Sequence, residues 1–329
     1  MSFTFSVRKN RIVNLIINDH SIRFLELKQA HPPIAQRWGE RLLPPGIIHD
    51  GKIVDIESLI NILEELLDEW KLRKRVVRFL VPDPLVIIRK VTISADIKED
   101  EIKNHLYLEI GTSIHLPFDE PVFDTFLIQK SENQKEVLLF AAPEKYVMEY
   151  SDLFSDLGLN PIAAEISPLA IYRLYHELDM PQQNEQLFVV QFGLTSVNMC
   201  IFDEKVPYFM RHFPLDFNLD KWELKRMGSV ENEYYYIGDE SELKFQLNEI
   251  IKEMNKMSDF YRYSLQNGKK EISKILLCGD HPMLNSIYAE LSNRFDTPIQ
   301  EIALDASHKS AILPSSYHLA LGLALKEVK

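Results

Sequence analysis

The sequence predicts a two-lobed α/β protein with a compact α+β segment inserted into its first lobe. Three observations lead there. The chain has 329 residues, 46% of them hydrophobic, which is more than one core of roughly 250–300 residues accommodates. Strand-like and helix-like periods alternate along its whole length. An apolar hairpin with a polar turn occurs twice, at residues 11–28 and 187–202.

The first hairpin joins an apolar run, 11–17, to residues 21–28, where Ile22, Phe24 and Leu25 alternate with Arg23 and Glu26; Asn18-Asp19-His20 turns between them. Residues 42–51 read as a strand ending in the turns Pro44-Pro45-Gly46 and Asp50-Gly51. Leu59, Leu63, Leu66, Leu67 and Trp70 fall on one face of a helix over 57–70. A Val- and Phe-rich strand, 75–81, stops at Pro82-Asp83-Pro84. Next come a strand (85–93), a helix from near Asp96 to Ile110, strands at 122–129 and 136–142, a helix over 145–157 closed by Gly158, and a strand at 161–166. That order is β-α-β-β-α-β. A helix (167–177) and a polar linker (179–185) lead to the second hairpin, whose strands 187–191 and 197–202 flank Phe192-Gly193-Leu194-Thr195-Ser196; a third strand follows at 208–213. Residues 216–240 are acidic and aromatic without a clear period and are expected to form an irregular loop. Leu243, Leu247, Ile250, Met254 and Met257 trace the stripe of a buried helix over 243–265. A strand (274–278), the turn Gly279-Asp280, and helices at 282–295 and 316–328 complete the chain.

Composition excludes several functions. A net charge of −12 repels phosphate backbones and anionic lipid, so no nucleic-acid partner is expected. Lys71, Arg73, Lys74 and Arg75 read as a solvated helix end. Cys200 and Cys278 lie in separate apolar runs, which suits a reducing compartment and gives neither a disulfide framework nor a metal site. No run reaches the roughly 18–20 apolar residues of a membrane span, and the N-terminus has no signal-peptide pattern. The ten histidines lack zinc-ligand spacing, and no serine sits in a Gly-x-Ser-x-Gly elbow, so no catalytic and no metal-binding residue is expected.

Several segments together resemble one family. They are Pro44-Pro45-Gly46-Ile47-Ile48-His49-Asp50-Gly51-Lys52-Ile53-Val54-Asp55, Val76-Val77-Arg78-Phe79-Leu80-Val81-Pro82, Ile114-His115-Leu116-Pro117-Phe118, Glu136-Val137-Leu138-Leu139-Phe140-Ala141-Ala142, and Leu157-Gly158-Leu159-Asn160-Pro161 followed by Glu165-Ile166-Ser167-Pro168. In this order and at these spacings they resemble the type IV pilus assembly protein PilM family. The resemblance implies an actin-like, two-lobed ATPase fold similar to FtsA, with the β-α-β-β-α-β segment as a displaced subdomain. Residues 1–84 would form the first lobe, completed by about 165–183, with 85–164 inserted and 184–329 forming the second lobe.

The resemblance also locates a nucleotide site and shows it damaged. An actin-like site needs glycines for close approach to phosphate, N–H and hydroxyl donors, and an Asp that orients hydrated Mg²⁺. The first phosphate loop of the family aligns with Asn18, Asp19 and Ser21, in a stretch without glycine, and Asp19 is expected to bring negative charge toward the phosphates. Arg23 stands where a Lys is common. The second loop keeps Gly193, Thr195 and Ser196 but has Gln191 for the Asp, and the adenosine motif keeps Gly279 but has Asp280 for its second glycine. The expectation is a pseudo-ATPase with no required cofactor and at most weak ATP–Mg binding.

By resemblance, the function is that of a cytoplasmic scaffold. It binds the N-terminal cytoplasmic peptide of a PilN-type membrane protein in a groove lined by residues 76–93 and 123–128. It contacts other pilus assembly platform proteins and is peripheral at the inner face of the cell membrane, without direct membrane insertion. The alternatives are an ATP-binding or filament-forming actin-like ATPase, and the actin-like cytoplasmic part of a type II secretion platform protein.

Overall fold

The computed structural model describes residues 12–178, 180–216, 221–227, 231–304 and 313–327. Arg11, Asp179, residues 217–220 and 228–230 of the acidic segment, and Val328 were included in the sequence reading and lie outside the described residues. The chain divides into two compact units: Met1–Ile87 with Thr92–Met180 and Leu304–Lys329, and Ile88–Val91 with Pro181–Ala303.

Unit 1 is built on a five-stranded sheet. The strands β1 (Val13–Asn18), β2 (Ser21–Gln29) and β3 (Ile34–Leu42) form an antiparallel meander, and β6 (Val76–Leu80) runs parallel to β1. Between them lie the short pair β4 (Ile48–His49) and β5 (Lys52–Ile53) and the helix α1 (Ile56–Glu69). Asp55 caps α1 by accepting from the Ser58 N–H at 3.0 Å. The helix buries Leu59, Leu63, Leu66 and Leu67 in a core shared with Val13, Leu15 and Phe79, each worth about 1.5–3 kcal/mol of apolar burial.

The inserted segment gives β7 (Ile87–Ser94), α2 (Ile102–Glu109), β8 (Pro121–Lys130), β9 (Gln134–Pro143), α3 (Glu144–Asp156) and β10 (Asn160–Glu165). Its sheet order is β7-β9-β8, while β10 joins the five-stranded sheet beside β6, giving β10-β6-β1-β2-β3. The helix expected from Asp96 begins only at Ile102, after a 3₁₀ turn at Glu99–Glu101. The buried Lys135 ammonium donates to the carbonyls of Ala95 and Ile97, oxygens that a helix starting there would need.

Unit 2 carries the second sheet. After α4 (Ser167–Glu177) of unit 1 come β11 (Gln186–Phe192), β12 (Ser196–Asp203) and β13 (Val206–Pro214), then the hairpin β14 (Trp222–Met227) and β15 (Glu231–Tyr236). The helix α5 (Glu240–Asp259), β16 (Lys274–Gly279), α6 (Leu284–Arg294) and β17 (Ile299–Glu301) follow. The sheet order β13-β12-β11-β16-β17 repeats, strand for strand, the β3-β2-β1-β6-β10 order of unit 1. Ile250, Met254 and Met257 of α5 bury against Phe188, Met199 and Leu277, as the stripe predicts.

Two expectations are corrected. The acidic segment contains an antiparallel hairpin pairing Trp222 with Tyr236, so it is not wholly irregular; the two rings pack edge to face at 5.1 Å. The last helix, α7 (His318–Ala324), groups with unit 1 rather than with the second lobe. Arg173 and Arg78 donate to the carbonyls of Gly322 and Ala324 at 3.1 and 3.0 Å, and the Lys326 ammonium meets the buried Glu165 carboxylate at 2.8 Å. The two arginine bonds satisfy carbonyls that a helix C-terminus leaves open.

Candidate functional site

The nine residues singled out from the sequence fall into two groups, one in each unit. In unit 1, Asn18 pairs with Ser21 across the β1–β2 turn, and neither Asp19 nor His20 has a positive φ. The turn therefore closes without glycine. The Asp19 carboxylate accepts from the N–H groups of Asp50 at 2.7 Å and Gly51 at 3.0 Å, so its charge holds the β4–β5 turn. Gly51 sits at a crowded junction: its φ is +70°, a Cβ there would lie 2.2 Å from Pro82 Cβ, and its carbonyl accepts from the Tyr150 hydroxyl at 3.0 Å. Ser21 is fully buried and its hydroxyl has no hydrogen-bond partner among the described residues. Arg23 is also turned away from the loop, donating to Glu40 at 2.5 Å and to the Ser316 carbonyl at 3.4 Å. The donor atoms of Asp19, Asp50 and His49 lie within 4.8 Å of one another, a spacing that a divalent cation could bridge.

In unit 2 the other six residues converge. Gly193 donates its N–H to the Ser196 carbonyl at 2.8 Å, and the Leu215 N–H donates to the Thr195 carbonyl at 2.8 Å, so the loop is tied internally. Gln191 lies between Asn198 and Cys278 in the sheet. Gly279 has φ +123°, and a Cβ on it would come 1.9 Å from the Phe192 carbonyl oxygen. That carbonyl accepts from the N–H groups of Asp280 and His281 at 2.9 and 3.1 Å. The Asp280 carboxylate lies 3.6 Å from where a Cβ on Gly193 would stand.

Sequence reasoning missed the cavity beside this loop. A space of about 400 Å³ opens among Leu243 and Leu247 of α5, Ile287 of α6, Met283, Phe192 and His281. His281 stands edge-on to Phe192 and to Trp222, and burial pushes its pKa down to about 4, so the ring is neutral. Its Nδ1 accepts from the Met283 N–H at 3.1 Å, which puts the proton on Nε2. The sequence did carry a signal here, since Leu243 and Leu247 recur one helical turn apart on the stripe; that pattern describes a cavity wall as well as a packed core.

No carboxylate occupies position 191, Asp19 is committed to backbone N–H groups, and Asp280 sets a negative charge against the one loop that keeps its glycine.

The family model described as Type IV pilus assembly protein PilM matches residues 15–328. Among solved structures, a PilM-PilN type IV pilus biogenesis complex aligns with a TM-score of 0.75 at 20% identity, covering 96% of this chain and 98% of that one. The ethanolamine utilization protein EutJ from Carboxydothermus hydrogenoformans aligns with a TM-score of 0.50 at 13% identity, covering 95% of this chain and 88% of its own.

Proposed function

This chain belongs to the type IV pilus assembly protein PilM family and has its actin-like fold, and from that premise we propose that it is a pilus assembly scaffold that works by binding and not by turning over ATP. Its partner in this reading is a PilN-type membrane protein, held through that protein's N-terminal cytoplasmic peptide, and the pairing keeps the chain at the inner face of the cell membrane. The observation that carries the reading is the family match over residues 15–328. Among the described residues no helix is long and apolar enough to cross a membrane, so attachment is assigned to the partner.

The loss of turnover rests on chemistry. An amide at Gln191 cannot offset a metal's charge, and losing a metal-orienting carboxylate removes several kcal/mol of transition-state stabilisation. Weak ATP–Mg binding is the most these residues retain.

For the peptide, β8 offers a docking strand. It is the edge of its sheet, ten residues long, with Val122 and Phe126 exposed. An extended segment can add to such an edge through main-chain hydrogen bonds and place alternate side chains against those groups. The test is fluorescence anisotropy with a labelled N-terminal peptide of the PilN-type protein. Phe126→Arg should weaken binding at least tenfold while the melting temperature holds; equal affinity for both proteins would remove β8 from the site.

A further inference from the structure

We propose that the exposed face of α2 is a docking surface for a basic amphipathic helix of a partner protein, anchored on Tyr107 and Leu108. It is a second surface, separate from the peptide site assigned to β8.

Two apolar side chains stand in solvent on α2. Tyr107 is 66% exposed and Leu108 is 74% exposed, on a helix that buries only Ile102 and Leu106. Among the described residues Leu108 is the most exposed large apolar side chain. Tyr107 is held in place, because its ring stacks on Phe123 of β8 with centroids 6.4 Å apart. The Lys103 ammonium lies 5.7 Å from the centre of that Phe123 ring. Nothing crowds the pair. Asn104 and Gly111, one turn before and one turn after, are exposed, and a Cβ on Gly111 would meet no atom within 4 Å.

Charge says what covers the pair. Residues 96–124 carry eight carboxylates and two lysines, a net charge of −6, half that of the whole chain. Both lysines are already matched, Lys98 to Glu101 at 3.6 Å and Lys103 to Asp124 at 3.9 Å. Asp100 and Glu101 precede Tyr107 and Leu108 by seven positions, about two turns back on the same side. A negative field around an apolar pair repels anionic lipid, nucleic acid and the same surface of a second copy. It attracts a helix that has apolar residues along one stripe and Lys or Arg beside them. Such a helix buries both anchors and neutralises the carboxylates at once.

The surface does not compete with the β8 peptide site. Successive side chains of a strand point to opposite faces, so Phe123, which meets Tyr107, points away from the side of Val122 and Phe126. One ligand leaves the other's anchors uncovered.

The probe is a fluorescein-labelled peptide of Leu and Lys, about 18 residues long, with leucines at helical spacing. The control has the same composition with its leucines scattered. Fluorescence anisotropy with the full chain should show the amphipathic peptide binding at least tenfold more tightly than the control, and more weakly as salt rises. Leu108→Ser and Tyr107→Ser keep the charge and should each weaken binding at least tenfold; if Tyr107→Ser melts early, Leu108→Ser carries the test. Phe126→Arg should leave this binding unchanged, and Leu108→Ser should leave the affinity for the PilN-type peptide unchanged, so each reading can fail without the other. No binding, equal affinity for the two Leu/Lys peptides, or equal affinity of the wild type and Leu108→Ser overturns the proposal. Sedimentation velocity of the chain alone should find no self-association through this face; a dimer that Leu108→Ser dissolves gives the face to a second copy and also overturns it.

Discussion

Asp83 makes stability depend on pH in an unusual direction. It lies between Pro82 and Pro84, where the chain leaves β6 for the inserted segment, and its carboxylate accepts from the Ser167 hydroxyl at 2.6 Å, where the chain returns into α4. Burial pushes its pKa from 3.8 up to about 6, against the opposing effect of the Ser167 hydrogen bonds. A carboxyl raised in the folded state favours folding when it is protonated. Its contribution is full below pH 3.8 and is lost as pH rises through about 6. A shift of about two units, each about 1.4 kcal/mol, sets an upper figure near 3 kcal/mol. The residue keeps part of its surface exposed, and solvent screening lowers the expectation to about 1–2 kcal/mol. Asp83→Asn retains an acceptor for Ser167 and removes the charge. Urea unfolding followed by the fluorescence of Trp38 and Trp70, both in unit 1, should find the variant more stable by about 1–2 kcal/mol at pH 8 and equal to the wild type near pH 4. A variant less stable at pH 8, or a gain that is the same at both pH values, refutes the reasoning.

Three further outcomes follow from buried groups. Burial pushes His281 and His318 down from 6.5 to about 4, so each is neutral in the fold; stability is full above pH 6.5 and falls as pH drops through 4, and His318→Leu should remove roughly 3 kcal/mol of that loss in melts at pH 4. Gly279→Ala forces a Cβ against the Phe192 carbonyl at a φ of +123° and should destabilise unit 2 by more than about 3 kcal/mol, read from its thermal transition; a change under about 1 kcal/mol would contradict the geometry. The Cys278 thiol, raised to about 12 by burial, should resist alkylation at pH 8 until the protein is unfolded.

Much of the architecture was legible in local patterns. The two hairpins, the α1 leucine face and the strands and second helix of the β-α-β-β-α-β segment come from short-range periodicity and appear close to where the sequence placed them, while the segment's first helix starts late, at Ile102. β3 escaped notice because Arg37, Glu40 and Arg41 break its apolar alternation, as suits a sheet edge. The β14–β15 hairpin has the same disguise, with charged and aromatic residues interleaved and no apolar face of its own length. The place of α7 was illegible for another reason: Arg78 lies 246 positions before its partner Ala324, and no local signal spans that separation. At the candidate site, the residues at positions 191 and 280 could be read directly. The use of Asp19 could not, since its N–H donors at 50 and 51 come from another turn. The cavity stayed hidden because leucines that line a void and leucines that fill a core have the same spacing.

The central claim is that this chain binds its partner peptide without help from nucleotide. Calorimetric titration of an N-terminal PilN-type peptide, with and without ATP and Mg²⁺, tests it most directly. The account predicts saturable one-to-one binding with the same affinity in both buffers. No heat at any concentration, or binding that appears only when ATP and Mg²⁺ are present, would contradict it.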